Sequence, residues 1–245
     1  MKKTTWRNMT ESVKRKLLAS IYETYETFWA DTFFACRKGC ALCCTQSVTL
    51  TALEGNNILE YLAEYDVIRE DDLAGRLEAA TPSLPACTTN QFAGSFLDGK
   101  VPETGAEEWS LAPCIFLAGD CCTIYPARPF ACRCFVSTAP CGPAGAALLP
   151  TAVISLNTAL MQIIEHLDQG GCWGNMIEVL KVLPGLKSAE GGAGPGHKKS
   201  RLYISQENPG FLIPPEDEAA VVKYLNTLYM KETAGRTFAE WLHET

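Results

Sequence analysis

The chain has 245 residues, a formal net charge of −7, 47% hydrophobic and 20% charged residues, and 12 cysteines. That length suits one fair-sized domain, or a domain with a helical appendage, and the balance is that of a globular chain rather than a disordered one. The acidic charge supplies no basic field for nucleic acid or an anionic membrane, and the nearest basic run, residues 197–201, reads as a solvated loop.

At the amino terminus Lys2 and Lys3 are followed by Asn8, Thr10, Glu11 and Ser12 instead of an apolar core, so no export signal is expected. The expected location is the cytoplasm, a reducing compartment where clustered cysteines point to metal or redox chemistry rather than to disulfides. Residues 11–35 carry Val13, Leu17, Leu18, Ile21, Tyr25, Phe28, Trp29 and Phe33 at helical spacing. Thr10 or Ser12 caps this expected helix, Gly39 stops it, and Cys36 is expected on its buried face.

The first cysteine cluster is Cys36-Arg37-Lys38-Gly39-Cys40-Ala41-Leu42-Cys43-Cys44. Short spacings between thiols let one tight turn grip a metal centre, and soft thiolates select zinc, copper(I) or iron–sulfur clusters. A disulfide between the neighbours Cys43 and Cys44 would be strained. Val48 and Leu50 read as a short extended piece. Thr51 with Glu54 fits a capping box opening a helix through Ile58, Leu59 and Leu62. Another short helix is expected over residues 70–80, then a long irregular connection over 81–113.

The second cluster comprises Cys114, Cys121, Cys122, Cys132, Cys134 and Cys141. Gly119-Asp120 suits a tight hairpin turn between two short arms. Pro126 and Pro129 hold the intervening chain rigid and fix the direction of Arg128. The guanidinium groups of Arg128 and Arg133 suit the neighbourhood of a negative thiolate–metal centre, with a structural salt bridge as the alternative for Arg128. No charge occurs from Cys134 to Ile164, long enough to span a bilayer, but Pro140, Pro143, Pro150 and several polar residues favour a buried helix. Pro150 opens a helix to about Asp168, residues 174–183 suggest another, and residues 188–200 a flexible loop. Pro214-Pro215 opens a helix through Val221, Val222, Leu225 and Leu228, and Phe238, Trp241 and Leu242 form a last apolar patch.

Gly39-Cys40-Ala41-Leu42-Cys43-Cys44, then Leu50-Thr51 with Glu54 and Ile58, and later Cys114, Cys122-Thr123-Ile124-Tyr125, Arg128-Pro129 and Cys132-Arg133, together resemble a known family. It is the family of cysteine-cluster proteins named for a CxxCxxCC motif, also called YkgJ-like, whose domain is described as zinc- or iron-chelating. The ordered match covers residues 36–133. Cys36 departs from it by standing four residues before Cys40 rather than three. The resemblance implies Cys40, Cys43, Cys44, Cys114, Cys122 and Cys132 as metal ligands, with Cys36 behind them. Tyr125, Arg128 and Arg133 are the candidates around the bound group. Cys87, Cys121, Cys134, Cys141 and Cys172 look additional to the pattern.

The leading expectation is a metal-binding protein holding an iron–sulfur cluster, or else zinc, with no assigned reaction. Iron–sulfur is preferred because thiols are many and His166, His197 and His243 are isolated from both motifs. Flagellin lysine-N-methylases, which use S-adenosylmethionine, look similar in their cysteine cluster and supply an enzymatic alternative. A metal carrier or redox relay is the third reading. The glycine-rich run at 191–196 follows no strand and reads as a loop rather than a nucleotide turn. The spacing Cys36-x3-Cys40-x2-Cys43 matches a radical-enzyme motif, but no strand–helix barrel pattern accompanies it. The expected fold is mainly α with a small irregular or hairpin β segment, its helices packed around a cysteine-lined metal site. The expected organisation is a single domain over 1–245, with a cysteine core at 36–134 and a helical extension at 142–245. A protein partner is possible under this reading; nucleic acid and membrane are not expected.

Overall fold

The computed structural model describes residues 9–101, 110–142, 146–184 and 202–243. The amino-terminal lysines, the 188–200 loop, His197 with its basic run and the 191–196 glycines therefore lie outside the described residues. Helices dominate, and the strands are short and antiparallel.

Helix α1 (Glu11–Phe28) begins where Thr10, in extended backbone, accepts a hydrogen bond from the Val13 amide. It buries Leu17, Leu18, Ile21 and Tyr25. It does not run on to Cys36. Trp29 leaves helical geometry at φ −98° and ψ 9°, and Phe33 is 76% exposed. The aromatic periodicity continues past Phe28, and Trp29 still packs against the first apolar centre and the rings of Tyr25 and Phe28, but Phe33 meets no such surface and burial ends before it. Cys36 thus reaches its position on a loop. Gly39, at φ 91°, serves the turn between Cys36 and Cys40 rather than a helix stop, a conformation open to glycine at little cost.

Strand β1 (Thr49–Thr51) leads directly into α2 (Ala52–Glu64), whose capping box is complete. Thr51 accepts from the Glu54 amide while the Glu54 carboxylate accepts from the Thr51 amide. Next come α3 (Glu70–Ala79) and α4 (Thr89–Leu97). Helix α4 falls within the stretch expected to be irregular. It is opened by a second capping box, Thr88 with Gln91, and its Asn90 amide donates to the buried Glu165 carboxylate at 2.8 Å. Strands β2 (Leu117–Ala118) and β3 (Cys121–Cys122) form the expected hairpin across Gly119-Asp120. The remaining elements are α5 (Phe130–Arg133), α6 (Thr151–Leu167), β4 (Cys172–Asn175), α7 (Met176–Val182), β5 (Tyr203–Ile204), α8 (Glu218–Tyr229), the hairpin β6 (Glu232–Thr233) and β7 (Arg236–Thr237), and α9 (Phe238–His243).

Two apolar centres hold these elements together. The first joins α1, α6 and α8 with Phe130 and Phe238. Its fully buried leucines and isoleucines each contribute roughly 1.5–3 kcal/mol on leaving water. The second joins α2, α3 and α7 with Ile115, Phe116 and Ile124, and the half-buried Cys114, Cys122 and Cys172 pack against it. Strand β4 sits between β1 and β5 and pairs Leu50 with Gly174, so the chain beyond residue 170 is threaded into the cysteine region. The charge-free stretch before Ile164 is partly α6, a helix of 17 residues buried in the first centre. Two of its polar groups find partners across the core: Ser155 donates to Asp217 at 2.6 Å, and Asn157 accepts from the Tyr25 hydroxyl at 2.9 Å. Among the described residues no helix is long and apolar enough to cross a membrane.

Candidate metal centre

Three backbone contacts bring the two cysteine motifs together. The Cys114 amide donates to the Cys44 carbonyl at 3.0 Å, the Gln46 amide donates to the Ala112 carbonyl at 3.0 Å, and Thr45 bridges Pro113 in antiparallel fashion. Gln46 is buried and holds this junction from both ends of its amide. It donates to the Pro113 carbonyl and accepts from the Thr81 amide at 2.8 Å. Asn175, buried at the end of β4, donates to the carbonyls of Gln46 and Ser83. Neither residue stands out in the sequence, because each acts through pairings across more than a hundred positions or across a loop.

Cys122 is placed by the β2–β3 hairpin, which Thr123 extends with amide and hydroxyl bonds to the Phe116 carbonyl. A 3-10 turn over Tyr125–Ala127 follows, and Pro129 opens α5, which carries Cys132. The Phe130 amide at the start of α5 donates to Glu54 at 2.7 Å. Tyr22 donates to the same carboxylate at 2.9 Å, and the Thr51 amide does so at 3.1 Å. One buried glutamate therefore fastens α1, the start of α2 and the start of α5. Burial raises its pKa, while the bonds from Phe130, Thr51 and Tyr22 act in the opposite sense.

Cys44, Cys114, Cys122 and Cys132 form one neighbourhood. Burial pushes Cys114 up to about 11, with a further rise from Cys122. Burial also raises Cys122, and it raises Cys132 strongly, with the charges of Cys114 and Cys122 adding to the effect. Cys44 alone is lowered, because the Cys43 thiol donates a hydrogen bond to it; the charges of Cys132, Cys114 and Cys122 oppose that. Cys43 is raised correspondingly, first by this bond. Cys36 lies elsewhere, beside Cys40, Cys43 and Cys141, and is raised first by burial. Cys43 thus stands between two sets of thiols. Cys134 is buried in the first apolar centre and pushed up to about 12 by that burial. Cys121 is exposed on the hairpin, while Cys87 and Cys172 are half-buried and raised first by burial.

Arg128 lays its guanidinium 3.5 Å above the Tyr125 ring and donates from Nε to the Tyr125 carbonyl. Its charge lowers the pKa of both Cys122 and Cys132. Arg133 donates to the carbonyls of Arg128 and Pro126 and to Glu26 at 2.6 Å, and it stacks on Tyr22. Its contacts brace the 126–133 segment. His166 accepts from the Asn208 amide and burial pushes it down to about 4, a structural role.

Among the described residues, no three His, Cys, Asp or Glu side chains are gathered closely enough to hold a metal ion. By chemistry the neighbourhood suits one. Its donors are soft sulfurs, they number the four that a tetrahedral zinc or a cubane cluster takes, and a cation flanks them. Binding would have to draw the side chains in from where they stand.

No curated protein and no solved structure matches this chain. Residues 35–148 match the family model CxxCxxCC, described as "Putative zinc- or iron-chelating domain", a span that includes both cysteine motifs and the backbone junction between them. Over that segment, a little under half of the chain, the protein is thus similar to the CxxCxxCC family, and the description of that family supports metal binding.

Proposed function

We propose that this chain holds an iron–sulfur cluster, or else zinc, through thiolates from its two cysteine motifs. The ligand candidates are Cys40, Cys43, Cys44, Cys114, Cys122 and Cys132, with Cys36 behind them. The observation that carries the reading is the antiparallel junction of Cys44 with Cys114, which sets thiols of both motifs within one another's electrostatic reach. An iron–sulfur cluster is preferred to zinc because thiols are abundant and no histidine belongs to either motif. When bound, such a group supplies either a rigid crosslink or an electron-transfer centre.

The chain's own residues do the rest. Arg128 favours the thiolate forms of Cys122 and Cys132. Glu54 positions α5 and with it Cys132. The helical segment after residue 142 covers the cysteine core through α7 and β4. Free thiols in this number require a reducing compartment, for which the cytoplasm is the natural choice.

The test is purification under oxygen exclusion, with metal analysis and an absorption spectrum. Iron with acid-labile sulfide and visible absorption are expected. A colourless protein with stoichiometric zinc would overturn the iron–sulfur preference and keep the thiolate site. A protein without metal would overturn both.

A further inference from the structure

At the end of α2 one dipeptide recurs after a single helical turn, as Glu60-Tyr61 and Glu64-Tyr65. Residues four apart share a helix face, so the carboxylates form one row and the rings another. Both rows line a cavity of about 350 Å³ bounded by α1, α2, the 3-10 turn and α5, with Tyr22 and Arg133 also in its wall. The chain seats two guanidinium groups of its own there. Arg15 from α1 pairs with Glu60. Arg133 lies 4.3 Å from the centre of the Tyr22 ring and pairs with Glu26. Glu54, the deep carboxylate of the wall, is committed to Tyr22, Phe130 and Thr51. Glu64 is different. Among the described residues it makes no ion pair, and it is exposed beside Tyr65, whose pKa its charge raises. The Tyr61 and Tyr65 rings are 4.8 Å apart between centres, with 37° between their planes. One carboxylate and two ring faces of this wall are thus left without a cation among the described residues.

We propose that Glu64, Tyr61 and Tyr65 bind the guanidinium group of a small organic cation, its plane against a tyrosine ring and its N–H groups on the Glu64 carboxylate. The chemistry of the wall decides the ligand class. An anion would meet the charges of Glu60 and Glu64 on a chain of net charge −7. A neutral apolar molecule would strip water from Glu64 without giving it a partner. A cation satisfies both the carboxylate and the negative faces of the rings. The planar guanidinium suits the place better than an ammonium, because it stacks flat and offers paired donors to a carboxylate. The chain itself uses that pairing twice, with Arg133 on Tyr22 and with Arg128 on Tyr125. The site shares no residue with the thiolate ligand candidates, so it stands apart from the metal reading.

The test titrates n-butylguanidinium into the full-length protein, purified under oxygen exclusion, at fixed ionic strength, and follows the probe by NMR. Saturable binding is expected, with the methylene beside the guanidinium shifted upfield by the tyrosine ring. The neutral analogue n-butylurea is expected not to bind. Glu64→Gln and Tyr65→Leu should each weaken binding about threefold to fivefold, the scale of one exposed charge pair or cation–π contact. Both side chains are exposed, so neither variant puts the fold at risk. Glu218→Gln makes the same charge change at an exposed position on α8 and should leave binding unaltered. Absence of binding to the wild type, equal binding of n-butylurea, wild-type affinity in both variants, or an equal loss in Glu218→Gln would each overturn the proposal. Acetyl-Gly-Arg-Gly-amide presents the same group on a peptide. If it binds more tightly than n-butylguanidinium, the site takes an arginine side chain; if more weakly, it takes a free small molecule. Either order supports the site provided that Glu64→Gln weakens the tighter ligand.

Discussion

The two packing centres treat polar groups in opposite ways. In the α1–α6–α8 centre buried polar side chains such as Tyr25 and Ser155 meet complementary partners, Asn157 and Asp217, from the same chain. Around the second centre, four thiols meet one another instead; burial raises Cys114, Cys122 and Cys132, and neighbouring thiols add to the rise at Cys114 and Cys132. The first assembly leaves isolated groups unpartnered, the Gln162 Oε1 and the Trp29 indole N–H, but gathers no like-charged set. The second gathers like groups whose ionised forms repel one another, a condition that metal binding, as proposed above, would relieve.

That contrast can be broken most severely from the helical side. Leu160 is fully buried in the first centre, so Leu160→Ala should cost about 3 kcal/mol of stability, read by chemical denaturation. The fraction that remains folded should keep its full metal content. Loss of metal from that folded fraction would show that the two centres are not separable in this way.

A second perturbation sharpens the boundary between them. Asp168 is buried, accepts from the Leu53 amide at the start of α2, and is raised by burial from 3.8 to about 7. A carboxyl raised on folding favours the folded state in its protonated form. Its contribution is therefore intact below about pH 4 and is lost as the pH rises through about 7. Asp168→Asn should flatten the stability profile over that window. An unchanged profile, measured by thermal unfolding from pH 4 to 8, would remove Asp168 as its source.

The smallest expected effect lies at Arg128. Replacing it with Gln removes a charge that favours thiolate at Cys122 and Cys132. Protons then compete better with metal, so metal should be lost at a slightly higher pH than in the wild type during acid titration. A shift to lower pH would contradict the role given to Arg128.

Much of the helical scaffold was legible because it is written in local rules. Thr10 caps α1, Thr51 with Glu54 boxes α2, and α6 begins just after Pro150. Helix α4 obeys the same rule through Thr88 and Gln91, a signal present but masked by the surrounding Pro, Gly and Thr. The end of α1 was not legible, since apolar spacing continues to Phe33 and only the tertiary surface decides where burial stops. The sheet of β1, β4 and β5 was equally hidden, because strands of two to four residues leave no periodicity.

At the site, residue types and spacing singled out the cysteines, but not how they sort. The placement of Cys44 beside Cys114, and of Cys36 and Cys40 beside Cys141, depends on backbone contacts at Gln46 and Ser137 that no local pattern announces. Glu54 was read as a helix cap, and its hold on the Phe130 amide emerges only when α5 packs against α2.

The most direct test of the central claim is the metal content per chain of oxygen-protected wild type beside Cys114→Ser and Cys132→Ser, with circular dichroism to establish folding. Stoichiometric metal in the wild type, and its loss from both folded variants, is the predicted result. Full metal retention in both variants would contradict a centre shared between the two motifs.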